Sequence, residues 1–189
     1  KEAGIDLRYI EEEDFDNPLG ESTGAGAIFG VTGGVLEAAL RTAYEWATGK
    51  TLEDVNFTAV RGLQGVRETT IDLGGKQLNV AAASGLGNAR TLLQNIREGK
   101  SKYHVIEIMA CPGGCINGGG QPFSEERKEV IEQRTKALYQ VDTDKDIRKS
   151  HENPSIKTLY AEFFEKPGSH KAHELLHTEY FPKKKYTKD

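Results

Sequence analysis

The sequence predicts an α/β fold with a small mixed sheet flanked by helices, plus a helical C-terminal extension. Three observations predict it: alternating apolar residues on both sides of Gly74-Gly75, a strand, helix, strand order ending at Met109, and a series of helix start signals after Pro122. The change of character at Pro122 divides the chain into 1–122, which carries the sheet, and 123–189, which reads as helical.

The first 21 residues are acidic and include Glu11-Glu12-Glu13-Asp14; they read as a surface connector. A glycine-rich stretch, 20–34, leads into a helix over 35–46. Apolar residues occupy most faces of that helix, which predicts burial. Glu37 and Arg41 are spaced to pair, and Gly49 is placed to stop the helix. Residues 69–73 and 76–80 form the arms of a hairpin, with Gly74-Gly75 supplying the positive φ angles of a two-residue turn. Residues 89–96 read as a short amphipathic helix ended by Gly99, and 103–109 as a strand. That order implies a right-handed crossover onto a parallel neighbour. Cys111 and Cys115 then fall just beyond the carboxyl end of a strand, where α/β sheets place their sites. In the extension, Ser124 is read as the cap of a helix reaching Tyr139, Pro154 as the first turn of one reaching Phe164, and Ser169 as the cap of a last one through His177. Trp46, Tyr160, Phe163 and Phe164 read as packing residues. His151 shows no partner in the sequence and reads as a capping or solvated side chain.

Composition narrows the function. The chain has 189 residues and a net charge of −4, without the basic stripe that nucleic acid demands. Lys183-Lys184-Lys185 reads as a solvated tail. No apolar run approaches the ~20 residues of a membrane helix, and the N-terminus carries no signal-peptide pattern. The chain therefore reads as cytoplasmic, or as a piece of a longer cytoplasmic protein, with no nucleic-acid or membrane partner.

The most informative segment is 107–122, Glu-Ile-Met-Ala-Cys-Pro-Gly-Gly-Cys-Ile-Asn-Gly-Gly-Gly-Gln-Pro. Two thiolates on one short loop can reach a single soft metal centre. Pro112 stops the strand, and the glycines let the backbone curl round a bulky object with amides free to face sulfur. On spacing alone, a flexible loop with a strained disulfide competes equally with a metal site; the glycine and proline density favours a bound object. A cubane cluster takes four cysteine ligands. This chain has two cysteines, so the other ligands are expected from polypeptide outside it.

The loop resembles the third signature motif of [FeFe] hydrogenases, a Met-x-Cys-x-x-x-Cys stretch closing with Gly-Gly-Gly-Gln-Pro. The stretch 20–34 and the segments 147–154 and 166–173 resemble the same family. The resemblance implies one lobe of a two-lobed catalytic domain, with 1–122 as its C-terminal lobe and 123–189 as an extension. It implies a [4Fe-4S] cubane joined, through a shared cysteine sulfur, to a two-iron subsite that bears CO and CN⁻ ligands. Cys111 would ligate the cubane alone and Cys115 would bridge. Met109, Phe29 and Gly30 would lie against the two-iron subsite. The first two signature motifs, with the other two cubane cysteines, have no counterpart here, nor do accessory iron–sulfur domains. The expected partners are the N-terminal part of the same enzyme, ferredoxin or another redox carrier, and H2 with protons. The chain alone is expected to be inactive and to hold no complete cofactor. A second expectation is a non-catalytic iron–sulfur relative that acts in cluster assembly or binding.

Two other motifs compete and lose. Gly24-Ala25-Gly26 begins like a dinucleotide fingerprint, but Phe29 occupies the next required glycine position and no strand precedes it. His173-Glu174-Leu175-Leu176-His177 matches a zinc-protease pattern with His170 nearby, yet no third ligand has room downstream. It reads as a surface helix.

Overall fold

The computed structural model describes residues 3–13, 21–62, 65–125 and 127–182. The acidic run from Asp14 to Gly20, Glu126 and the basic cluster 183–185 lie outside the described residues. Among those described there are three strands, β1 (Val66–Asp72), β2 (Gln77–Ser84) and β3 (Val105–Met109). Six α-helices accompany them: α1 (Gly24–Ala27), α2 (Gly34–Thr48), α3 (Leu86–Arg97), α4 (Arg127–Asp144), α5 (Pro154–Leu159) and α6 (His170–Leu176).

The sheet order is β1-β2-β3, with β1 and β2 antiparallel and β2 and β3 parallel. This is the small mixed sheet that the sequence predicts. The hairpin closes through the Leu73 amide on the Lys76 carbonyl at 2.9 Å, with φ of +69° at Gly74 and +94° at Gly75. Positive φ at both central residues is what a primed turn requires, and that turn's twist matches the strands it joins. α3 makes the crossover from β2 to β3.

β2 is the central strand. From Val80 to Ser84 every residue is buried, which explains the run of three alanines: small side chains let layers close on both faces. Val80 and Ala82 share one face and pack with Leu36 and Leu40 of α2 and with Val60. A second apolar cluster joins Ile28, Val31, Ile116 and Ile131, with Leu138 and Tyr139 against it. It binds the glycine-rich stretch, the cysteine loop and α4 into one unit.

The extension is tied to the sheet part through buried charge. Arg41 and Glu37 pair at 2.9 Å, as their spacing predicts, and both side chains are fully buried. Arg41 also donates to Asp142 of α4 at 2.7 and 2.9 Å and to the backbone carbonyls of Val55 and Arg148. Arg61 and Arg148 complete the cluster on Glu37 and Asp142. Burying ions is costly unless they are paired and hydrogen-bonded, and here nearly every polar edge is met.

Several boundaries differ from expectation. α2 ends at Thr48, and the Gly49 amide, at φ +66°, donates to Glu45 O. α4 starts at Arg127, three residues after Ser124, and runs to Asp144, beyond Tyr139. α5 continues as a π-helical turn over Tyr160–Phe164, which widens the backbone before the chain reverses. Asn153 and Ser169 cap α5 and α6 by accepting from Ile156 and Ala172. Burial along α2 fades toward its end, and Trp46 is 62% exposed, so this ring is not a core residue. Phe164 is buried and Phe163 is half exposed.

His151 is not unpartnered. Its Nδ1 lies 3.0 Å from Thr42 Oγ1 and its Nε2 lies 2.7 Å from Glu45 Oε2. The partners sit on α2, more than a hundred residues away, where no local pattern could announce them.

Candidate metal centre

β3 runs straight into the cysteine loop. Cys111 follows its last residue, Met109, by two positions, at the carboxyl end of the strand. The chain then turns through Pro112, Gly113 and Gly114 into a 3-10 turn, Cys115–Asn117. Within the loop, the Gly114 amide donates to Cys111 O at 2.9 Å and the Gly118 amide to Cys115 O at 3.0 Å. Asn117 Nδ2 donates to Pro112 O, and Arg134 of α4 donates to Ile116 O at 2.7 Å. Ile116 is buried in the second apolar cluster and acts as the anchor under the turn.

The loop is seated on the glycine-rich stretch. The Thr32 amide donates to Gly113 O at 3.0 Å. Gly114 has φ +102°, and a Cβ there would lie 2.6 Å from Gly30 O and 2.8 Å from Thr32 N. Two backbones meet there at a distance only glycine permits. On the sheet side, buried Ser84 accepts from the Gly113 amide at 2.9 Å and lies 3.5 Å from Thr32 Oγ1. The loop is therefore fixed from beneath by β2, α4 and the 28–34 segment.

Both thiols are free, with Cys111 partly buried and Cys115 exposed. They are not joined as a disulfide. Met109 and Gly30 are partly buried, and Phe29 is 47% exposed. A Cβ on Gly30 would lie 2.8 Å from Leu138 Cδ1, so Gly30 is held against α4 while Phe29 beside it stays open. Two soft donors on a firmly supported turn fit half the ligand set of an iron–sulfur cluster.

Two residues that sequence reasoning gave no role, one buried and one partly buried, help build this site. Ser84 is one. Glu107 is the other: its carboxylate accepts from the Gly33 amide at 2.5 Å and the Leu36 amide at 2.7 Å, at the start of α2. Burial raises its pKa, and the amides of Gly33, Leu36 and Val35 pull it back. The available signal was an acidic residue in the middle of an otherwise apolar strand.

The zinc-protease pattern does not assemble. α6 ends at Leu176, so His177 lies past the helix, and His173 and His177 are exposed with their rings stacked at 4.6 Å. Among the described residues, the one trio with ligand atoms close together is Glu45, His151 and Glu152. The Lys149 ammonium already stands between its carboxylates, 2.7 Å from Glu45 and 3.0 Å from Glu152. A cation is thus supplied by the chain, and the cluster ties Lys149 to α2. No described helix is long and apolar enough to cross a membrane.

The fold places a pair of free thiols at the carboxyl end of an α/β sheet. The sequence matches the family described as iron only hydrogenase large subunit, C-terminal domain, over residues 1–119, and the iron hydrogenase small subunit over residues 128–183. The chain belongs to the iron-only hydrogenase family. It is 54% identical to the NADP-reducing hydrogenase subunit HndD of Solidesulfovibrio fructosivorans, over 98% of this chain and 32% of that protein. The structure is similar to a solved structure of the [FeFe]-hydrogenase HydA1 from Chlamydomonas reinhardtii, with a TM-score of 0.70 and 43% identity over 95% of this chain and 52% of that one. A more distant relative, 30% identical over 95% of this chain and 44% of its own length, is the cytosolic Fe-S cluster assembly factor narfl of Danio rerio. The chain spans about a third of the length of HndD.

Proposed function

We propose that this chain is the C-terminal lobe, 1–122, and helical extension, 123–189, of an iron-only hydrogenase that interconverts H2 with two protons and two electrons. Cys111 would ligate a [4Fe-4S] cluster, and Cys115 would hold both that cluster and a two-iron subsite. When bound, the combined group supplies the site of H2 cleavage and the route for electrons. The chain's own residues hold and shield it. The 3-10 turn and Ile116 hold the Cys115 backbone in place. Met109, Phe29 and Gly30 present apolar surface and bare backbone toward the two-iron subsite, which excludes water and leaves room for small diatomic ligands.

The observation that carries this reading is the seat of Gly114 on Gly30–Thr32, because it brings the two separately recognised segments to one place. The remaining cluster ligands come from the N-terminal part of the same enzyme. In support, β3 has an open edge with Val105 and Ile108 each 42% exposed, and an uncovered apolar edge strand invites a partner. A ferredoxin or another redox carrier exchanges the electrons. The test is metal and sulfide analysis with hydrogen turnover on the full-length protein. Wild type binds iron and turns over H2, whereas Cys111→Ala with Cys115→Ala loses turnover and part of its iron. Turnover that survives the double replacement refutes the assignment.

A non-catalytic role in iron–sulfur assembly is the second reading, favoured by the likeness to the assembly factor. It predicts iron without hydrogen turnover in the same experiment.

A further inference from the structure

We propose that Glu107 is a positioning residue that sets the spacing between the Phe29-Gly30 segment and the Met109–Cys115 loop; this rests on the reading that both segments flank the two-iron subsite. At the start of α2 the N-cap is Gly33, at φ +88°, which has no side chain to cap the first turn. Two amides of that turn, Gly33 and Leu36, instead find their acceptor 74 and 71 residues away in sequence, on the carboxylate of Glu107. A carboxylate suits the place: two oxygens meet two N–H groups at the positive end of a helix.

The same residue stands on a rigid strand. Glu107 pairs with Ala82 in the parallel register of β2 and β3. Side chains alternate along a strand, so Glu107 and Met109 share one face. Met109 is therefore directed to the side on which α2 begins. One end of the segment from Glu107 to Gly113 is tied to Gly33 through the carboxylate. The other is tied to Thr32 through its amide on Gly113 O at 3.0 Å. Between the two ties lie Met109 and Cys111. Glutamine offers one acceptor oxygen and turns an NH2 toward an N–H, so it breaks one tie to α2 while keeping size.

The test uses the full-length polypeptide with Glu107→Gln, and exposed Glu68→Gln as a control. Made without cofactor maturation, the Glu107→Gln variant should exchange the amides of 33–36 about tenfold faster, and those of 109–115 faster as well. After maturation it should keep wild-type iron content, show broadened or shifted CO infrared bands, and lose about tenfold in hydrogen turnover. Unchanged exchange at 33–36 overturns the proposal. So does faster exchange at 33–36 with the loop and the infrared bands unchanged, because Glu107 would then be a helix cap alone. A matured wild type without CO bands refutes the functional reading instead, and loop exchange still decides whether Glu107 ties the two segments.

Discussion

Arg41 on α2 and Asp142 on α4 meet through two hydrogen bonds of 2.7 and 2.9 Å, with both side chains fully buried. They are 101 residues apart and lie on opposite sides of the change in sequence character at Pro122. The pair makes the sheet part and the helical extension interdependent. Asp142→Ala leaves a buried guanidinium short of its main partner, a class of change that costs about 3–5 kcal/mol. Denaturant unfolding of the full-length protein should show that loss, with the region unfolding in one transition rather than two.

Gly114→Ala tests the seat of the cysteine loop. The new methyl would meet Gly30 O at 2.6 Å in a backbone conformation that side chains rarely adopt. Strain of this kind costs about 1–3 kcal/mol before the clash is counted. Iron analysis of the matured full-length variant should show the cluster lost. Gly119→Ala, where nothing lies within 4 Å, should retain it.

The Glu45 cluster sets an acid limit on stability. Burial opposes ionisation of Glu45, yet the Leu52 amide, Lys149 and His151 hold its pKa down at about 2 against an ordinary value of 4.5. A depressed carboxylate contributes stability in full above its unfolded pKa and loses it as the pH falls through the folded one. The thermal midpoint of wild type should therefore drop between pH 4.5 and about 2. In Glu45→Gln the midpoint should be lower at neutral pH, and the gap from wild type should close across that window.

Metal analysis can also dispose of the histidine motif. Replacing His173 and His177 together with glutamine should leave zinc and iron content of the full-length protein unchanged. Both rings are exposed, and His177 lies beyond the helix end.

Local signals were legible in the sequence. The Gly74-Gly75 turn, the crossover through α3 and the position of the cysteines after β3 follow from residue types within a few positions of each other. The Glu37–Arg41 pair was visible for the same reason. What escaped depends on contacts between distant segments. Asp142 gives no sign that it faces Arg41, nor His151 that it lies between Thr42 and Glu45. Glu107 and Ser84 were visible only as polar residues on apolar strands, and their partners are the amides of Gly33, Leu36 and Gly113. Ser124 looked like a cap because serine before acidic residues often is one, but α4 begins later. Of the proposed site, Cys111, Cys115, Met109, Phe29 and Gly30 follow from their motifs, while the elements that hold the two segments together do not.

The proposed function stands or falls on the Cys115 sulfur bridging a cluster to a two-iron subsite that carries CO and CN⁻. Infrared spectroscopy of the matured full-length protein tests this most directly. CO and CN⁻ stretching bands are expected in wild type and should disappear in Cys115→Ala. An iron-loaded wild type without those bands, or bands that persist without Cys115, would contradict it.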